Sequence, residues 1–480
     1  MHLQGLTRII QSFKPAECDL IREYYLRKNN GSATKRLQLF DLLNNRLAKS
    51  SDQISRLLYN RKPDSGFSQL KKRLKEDLLD FLVFFSSNKG DRPGKDSSEL
   101  ECRRLFVQAQ TLVHKGIPDE AVSVLKRVQK LAKENDLPDM KAKALALLQD
   151  ISDQSFSDFK ANAAQVEADF EIHLVLVKAR NLYTRWNADQ TGAAWGQKEF
   201  VLLSELTEIK KKAASPSLEY WYRLLNMLHC QQEGQMASAY RHGLLLNECI
   251  HQHSASLNRS LQFNFFLELT NLLYQTGKYR KAELFARKAE MLCGNECPEM
   301  LKVLQLRFMV HFCQTDKNTC DEILSTAMLH PDVKKEESTH QIWLFFEACM
   351  HFVDGNYRIT QALIQQCSGL TRDKSGLFLE PRILELLNLV EVKDYDLLEY
   401  KVESFRKLIE YHKDLCPDHV PQVMRVLKSF VRAGFDLEET FNMEGEVMAE
   451  LLYTKHYHGL VNVQTWLLSK LKVGDLRMVG

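Results

Sequence analysis

Downstream of residue 98, apolar side chains recur at i, i+3, i+4 and i+7 almost to the end of the chain. Leu105–Val113, Ala121–Leu131, Phe266–Leu273 and Leu384–Leu389 are examples. This recurrence, close to 3.6 residues, lines up one face of an α-helix. No stretch alternates with period two for long enough to make a convincing sheet strand. Glycine and proline, the residues that sharp corners need, number only 20 and 11 in 480 positions, so the chain has long helices and few corners. The fold class this predicts is all-α.

A phrase repeats within the helical pattern. An amphipathic helix ends at Gly-x-Tyr or its equivalent, and the next helix carries a small residue five positions after the glycine. The clearest copy is Gly277-Lys278-Tyr279-Arg280-Lys281-Ala282, with Ala286 and Ala289 following. Others begin at Gly116 with Ala121, Gly234 with Ala239, Gly355 with Tyr357, and Lys393 with Tyr395. A short turn between antiparallel helices needs a residue at φ > 0, hence glycine. The aromatic two positions on plugs the hairpin, and the alanine lets the helices approach. Leu269, Gly277, Tyr279, Ala282 and Ala289 together resemble the tetratricopeptide repeat. Ala109 and Ala348 supply the small residue of the first helix in two other copies, and in the last copy Leu386 and Leu398 replace the small residues of both helices. Gly277 to Gly355 spans two units, so a degenerate copy with Ala327 is expected around Asp316. The resemblance implies an antiparallel helix-hairpin solenoid, a tetratricopeptide-like superhelix, over residues 99–480. It also implies a concave face lined by first-helix residues. In that register the inward positions include Trp221, Leu224 and Leu228, then Asn271 and Tyr274, then Phe345 and Phe352. An apolar groove of this kind suits an amphipathic helix or an extended apolar peptide.

The first hundred residues differ in charge. They hold 19 Lys/Arg against 12 Asp/Glu, a net of +7, whereas the whole chain is only +3. Between Lys35 and Lys75 there are 11 basic and 3 acidic side chains. Residues 1–85 therefore read as an N-terminal basic helical domain. Residues 86–98, rich in Ser, Gly and charge, read as a linker. Three helices are expected between Lys35 and Phe85: one from Lys35 to Asn44, one capped by Ser51-Asp52, and a third from Phe67. The third has its apolar stripe at Phe67, Leu70, Leu74, Leu78, Phe81 and Phe85. At 100° per residue Ser68, Lys71, Lys72 and Lys75 share one outer arc. This arrangement resembles a helix-turn-helix or winged-helix domain, which implies lysine contacts to phosphates and base readout by Ser68 or Gln69. Two departures stand against it: about eight residues separate helices two and three, and no wing hairpin follows. The alternative is a helical cap of the solenoid with a solvated basic face.

Catalytic and metal chemistry find little support. Cys293-x₃-Cys297, His311-x-Cys313 and Cys249-x-His251-x-His253 are the nearest to ligand spacings. Side chains two apart on a helix diverge by about 200°, so the last two cannot converge on one ion. Phosphate-loop, dinucleotide, zinc-protease and nucleophile-elbow patterns are missing. No cofactor, no metal and no enzymatic activity are expected. The 11 cysteines are odd in number and scattered through apolar helices, which fits a reducing, cytoplasmic compartment. The longest apolar clusters, Phe81–Phe85 and Ile342–Phe346, are far short of the ~20 residues a bilayer span needs. The expected function is that of a non-enzymatic scaffold or adaptor that binds a protein or peptide partner in the concave face. The alternative is a nucleic-acid-binding regulator acting through residues 35–85.

Overall fold

The computed structural model describes residues 3–28, 34–45, 50–60, 62–85, 95–152, 155–188, 197–254, 256–294, 297–367, 379–411, 419–453, 460–461 and 463–470. Among these residues the chain is helical, with no strand. It divides into two compact units, Met1–Phe170 and Glu171–Gly480, and the division falls within one long helix. Most of the expected linker at 86–98 lies outside the described residues.

The first unit opens with five helices: α1 (Leu3–Gln11), α2 (Pro15–Lys28), α3 (Lys35–Asn44), α4 (Ser51–Tyr59) and α5 (Ser65–Phe85). The expected three are α3 to α5. The first two are additional, and their Leu6, Ile10, Ile21 and Tyr25 complete a core with Leu37, Phe40, Ile54, Phe67, Leu74 and Leu78. Helix starts follow the capping rules. The Thr34 hydroxyl accepts from the Leu37 N–H at 3.1 Å, and the Asp64 carboxylate accepts from the Phe67 N–H at 2.8 Å. The cap of α4 is Ser50, one residue before the expected pair, and it accepts from the Gln53 N–H. A separate core of Cys102, Leu105, Ala109, Leu125, Val128, Met140, Ala144 and Leu148 joins α6 (Lys95–His114), α7 (Pro118–Glu134) and α8 (Pro138–Ile151). Helix α9 (Phe156–Ala188) begins in this unit and continues into the next.

In the second unit, α10 (Gln197–Lys212) precedes a run of hairpins. These are α11 (Pro216–Gln232) with α12 (Met236–Gln252), and α13 (Arg259–Gln275) with α14 (Tyr279–Leu292). Next come α15 (Pro298–Cys313) with α16 (Lys317–Leu329), then the short α17 (Pro331–Lys335). They are followed by α18 (Glu337–Val353) with α19 (Tyr357–Gln366), α20 (Leu379–Val392) with α21 (Tyr395–Tyr411), and α22 (His419–Arg432) with α23 (Leu437–Tyr453). Helix α24 (Val463–Lys470) comes last.

One turn makes all six hairpins. Gly234, Gly277, Thr315, Gly355, Lys393 and Gly434 each have positive φ, between 58° and 76°. At each, the following N–H donates to the carbonyl five residues back, as Lys278 does to Leu273 at 2.9 Å and Asp316 to His311 at 3.0 Å. The turn residue itself donates three residues back, as Gly277 does to Tyr274. This pair of bonds is the Schellman ending, which satisfies the last carbonyls of the first helix. Successive turns are 43, 38, 40, 38 and 41 residues apart. The degenerate copy expected near Asp316 is thus a hairpin turning at Thr315. Five residues after the first five turns stand Ala239, Ala282, Cys320, Thr360 and Leu398, all essentially inaccessible; after Gly434 this position is the exposed Glu439, and the buried residue is Thr440, one later. The aromatic plug forms where expected: Tyr279 lies 6.1 Å from Tyr274, and Tyr357 lies 5.6 Å from Phe352. The helical-repeat architecture expected from the phrase is therefore present across residues 216–453.

Candidate functional site

The turn fixes which side chains share a face. Counting three residues back from each left-handed position gives Gln231, Tyr274, Phe312, Phe352, Val390 and Val431, in α11, α13, α15, α18, α20 and α22. Along the N-terminal part of the second unit this face is covered. Tyr183 of α9 packs 5.8 Å from the Trp221 ring, and its hydroxyl donates to Glu268 of α13 at 3.0 Å. Val175, Leu176, Ala179 and Leu182 of α9 enter the same core as Trp221, Leu224 and Leu228.

The expected groove residues are corrected accordingly. Trp221, Leu224 and Leu228 are 2%, 0% and 0% exposed, and Tyr274 and Phe345 are both buried. They are core. The sequence register identified a common direction, but at Trp221, Leu224 and Leu228 α9 packs into the space that an open groove would leave to a partner, while Phe345 belongs to the separate core around α18 and α20. Asn271 is half-buried. Phe352 is also half-buried, and it lines a cavity.

That cavity holds about 540 Å³. Phe312 and Cys313 of α15, Cys349, Met350 and Phe352 of α18, and Leu384 of α20 give it apolar walls. Asp316, Lys317 and Asp354, at the Thr315 and Gly355 turns, edge it, with Lys317 paired to Asp354. The remaining wall comes from the end of the described chain: Leu460, Val461, Trp466, Ser469 and Lys470. This segment, three helices later in the chain, returns to α20. The Trp466 indole N–H donates to Glu391 at 2.6 Å, and the Lys470 ammonium sits 2.7 Å from the same carboxylate. The Leu460 N–H donates to Glu380 at 2.9 Å, and the Val461 N–H supports it.

Burial dominates the electrostatics around the cavity. Burial drives the Glu380 carboxyl up to about 7, against the lowering effect of the Leu460 and Val461 N–H groups. Burial raises the Cys349 thiol, with Glu380 adding to the effect. It pushes Cys320 to about 12, and it raises Cys313 although the nearby tyrosine hydroxyls pull the other way. These thiols stay protonated near neutrality, so they are neither nucleophiles nor ready metal ligands. No disulfide forms among the ten described cysteines. No group of three or more His, Cys, Asp or Glu among the described residues could hold a metal ion. What the cavity can do is accept an apolar body and meet a donor or cation with Glu391.

The other predicted site lies on α5. Ser68, Gln69, Lys72 and Lys75 are exposed on that helix, as is Arg73. Lys72 stands 4.0 Å from Glu76. Lys71 does not join them: it is 7% exposed, with its ammonium 4.8 Å from the centre of the Phe67 ring. One residue after Leu70 and three before Leu74, it flanks the core stripe, and its stem follows the apolar surface. Lys71 therefore drops out of the expected arc. Among the described residues no helix is long and apolar enough to cross a membrane. In comparisons with known proteins, no family model, no curated protein and no solved structure matches the chain.

Proposed function

We propose that the chain is a non-enzymatic binding protein of the tetratricopeptide-like kind, working in the cytoplasm, that receives an apolar segment of a protein partner. The observation that carries this reading is the 540 Å³ cavity, walled by Phe312, Met350, Phe352 and Leu384 of α15, α18 and α20 and further by Leu460, Val461 and α24. The space is open to solvent on one side, and an apolar-walled groove of this size in a helical array suits a ligand. Asp316, Lys317 and Asp354 at its edge can orient a peptide, and Glu391 stands in its wall.

The test is charge insertion at the rim. Phe352→Glu and Val353→Glu are expected to abolish recovery of the partner from the native cell. Met291→Glu, equally exposed but on α14 and away from the cavity, is expected to leave it intact. Equal recovery by all three folded variants would remove the cavity from the account. A second reading, nucleic-acid binding by the N-terminal helices, keeps the support of Ser68, Gln69, Lys72, Arg73 and Lys75 exposed on α5.

A further inference from the structure

The last described residues are an unusual wall for a cavity. They are a two-residue stretch, Leu460 and Val461, and the eight-residue α24. An isolated helix of this length is unstable in water, so α24 exists because of what it docks on. Its docking combines five buried apolar side chains, Leu460, Val461, Val463, Trp466 and Leu467, with two carboxylates of α20. Glu380 takes the backbone N–H groups of Leu460 and Val461, and Glu391 takes both the Trp466 indole and the Lys470 ammonium. Trp466 and Lys470 are four apart, so one helical turn presents both donors to one acceptor. The Glu391 side chain is only 9% exposed in this arrangement. If α24 leaves, Glu391 loses its cation and its indole donor and keeps the Tyr357 hydroxyl and whatever water enters, so a new cation and donor pair is favoured there. The groove thus favours an occupant that is cationic and rich in N–H donors. The segment meets that demand without filling the space beside it.

We infer that residues 460–470 are an internal stand-in for the partner, and that the partner brings a helix with a tryptophan one turn before a lysine or arginine, which displaces α24 from Glu391. The inference rests on the cavity being the partner site, and it adds the partner's chemistry and a competition within the chain. Binding then includes a free-energy cost of releasing α24, and weakening α24 tightens binding of any outside helix.

The experiment uses the full chain and a fluorescent synthetic peptide of residues 460–470, followed by anisotropy. Wild type is expected to bind the peptide weakly. Trp466→Ala and Lys470→Ala, which weaken the internal copy, are expected to bind it about tenfold or more tightly. Adding Glu391→Gln to either is expected to remove the gain, and a peptide carrying Trp466→Ala is expected to fail. Lys470→Ala is the safeguard, because its ammonium is partly exposed and its loss leaves the Trp466 packing in place. Unchanged helical circular dichroism certifies the fold. Equal affinity for wild type and both variants, or no binding to any, would overturn the inference. The partner-recovery contrast between Val353→Glu and Met291→Glu is independent of that outcome, so the underlying reading can stand when this one fails.

Discussion

The left-handed turn residues allow a prediction with opposite signs at equivalent positions. Gly277 and Thr315 occupy the same place in successive hairpins, at φ 67° and 58°. A Cβ built on Gly277 meets nothing within 4 Å, so Gly277→Ala introduces backbone strain and no clash. An L-residue in this region costs roughly 1–2 kcal/mol. The smaller entropy of the unfolded alanine chain returns roughly 0.4–1 kcal/mol. The net expectation is a loss of about 1 kcal/mol. Thr315 already bears the strain, made worse by its branched Cβ. Thr315→Gly removes it and meets the same entropy term with reversed sign, for an expected gain of about 0.5–1 kcal/mol. Both changes are measured by urea unfolding of the full chain, and the slope with denaturant should be unchanged. A loss on Thr315→Gly would mean that the two positions are not equivalent turns. A loss of about 3 kcal/mol or more on Gly277→Ala would mean that packing, not φ, makes glycine necessary there.

Two carboxylates set a pH dependence opposite to ordinary acid denaturation. Burial raises both Glu268 and Glu380 to about 7, above the unfolded value near 4.5. Between those values the folded state holds more protons than the unfolded one. The contribution of these groups to stability is therefore best below about pH 4.5 and falls as pH rises to about 7. Glu268→Gln, whose amide oxygen can still accept from Tyr183, is expected to raise stability at pH 8 by on the order of 2 kcal/mol and to change little at pH 4.5, read from urea melts at both values. An identical pH profile would remove Glu268 as the cause. For the nucleic-acid reading, Lys72→Ala with Lys75→Ala should flatten the salt slope of duplex DNA binding by about one unit per lost contact. Lys71→Ala should leave the slope unchanged. No binding by wild type at low salt would discard that reading.

The helical class and most hairpin turns were legible in the sequence because both have local causes. A helix face repeats every few residues, and a left-handed turn selects glycine. The turn at Thr315 was legible only through the distance between its neighbours. The turn at Asp136, where φ is 53°, and the one at Gly434 were missed. Aspartate tolerates the left-handed region and leaves no glycine signal, and no tyrosine follows Gly434 two positions on. Helix α2 was missed because Leu20, Tyr24 and Leu26 are exposed, which blurs its apolar stripe. The groove was half legible. Spacing gave the shared direction of Trp221, Leu224 and Leu228, but no periodicity reveals that Tyr183, 38 residues before Trp221, will lie across them. For the same reason Leu224→Glu would report on folding and not on partner binding. The cavity-lining role of Glu391, Trp466 and Lys470 likewise depends on contacts 75 to 79 residues apart.

The central claim is that a partner segment enters the cavity beside Phe352. The most direct measurement is photo-crosslinking from an amino acid placed at Val353, with a second probe at Met291 as control. These two side chains are 68% and 71% exposed, so neither needs the core disturbed. The account predicts a discrete protein adduct from position 353 alone, lost when Phe352→Glu is added and mapping on the partner to a helix that carries a tryptophan and a basic residue one turn apart. Adducts of equal yield from both positions, or an adduct at 353 that survives Phe352→Glu, would contradict it.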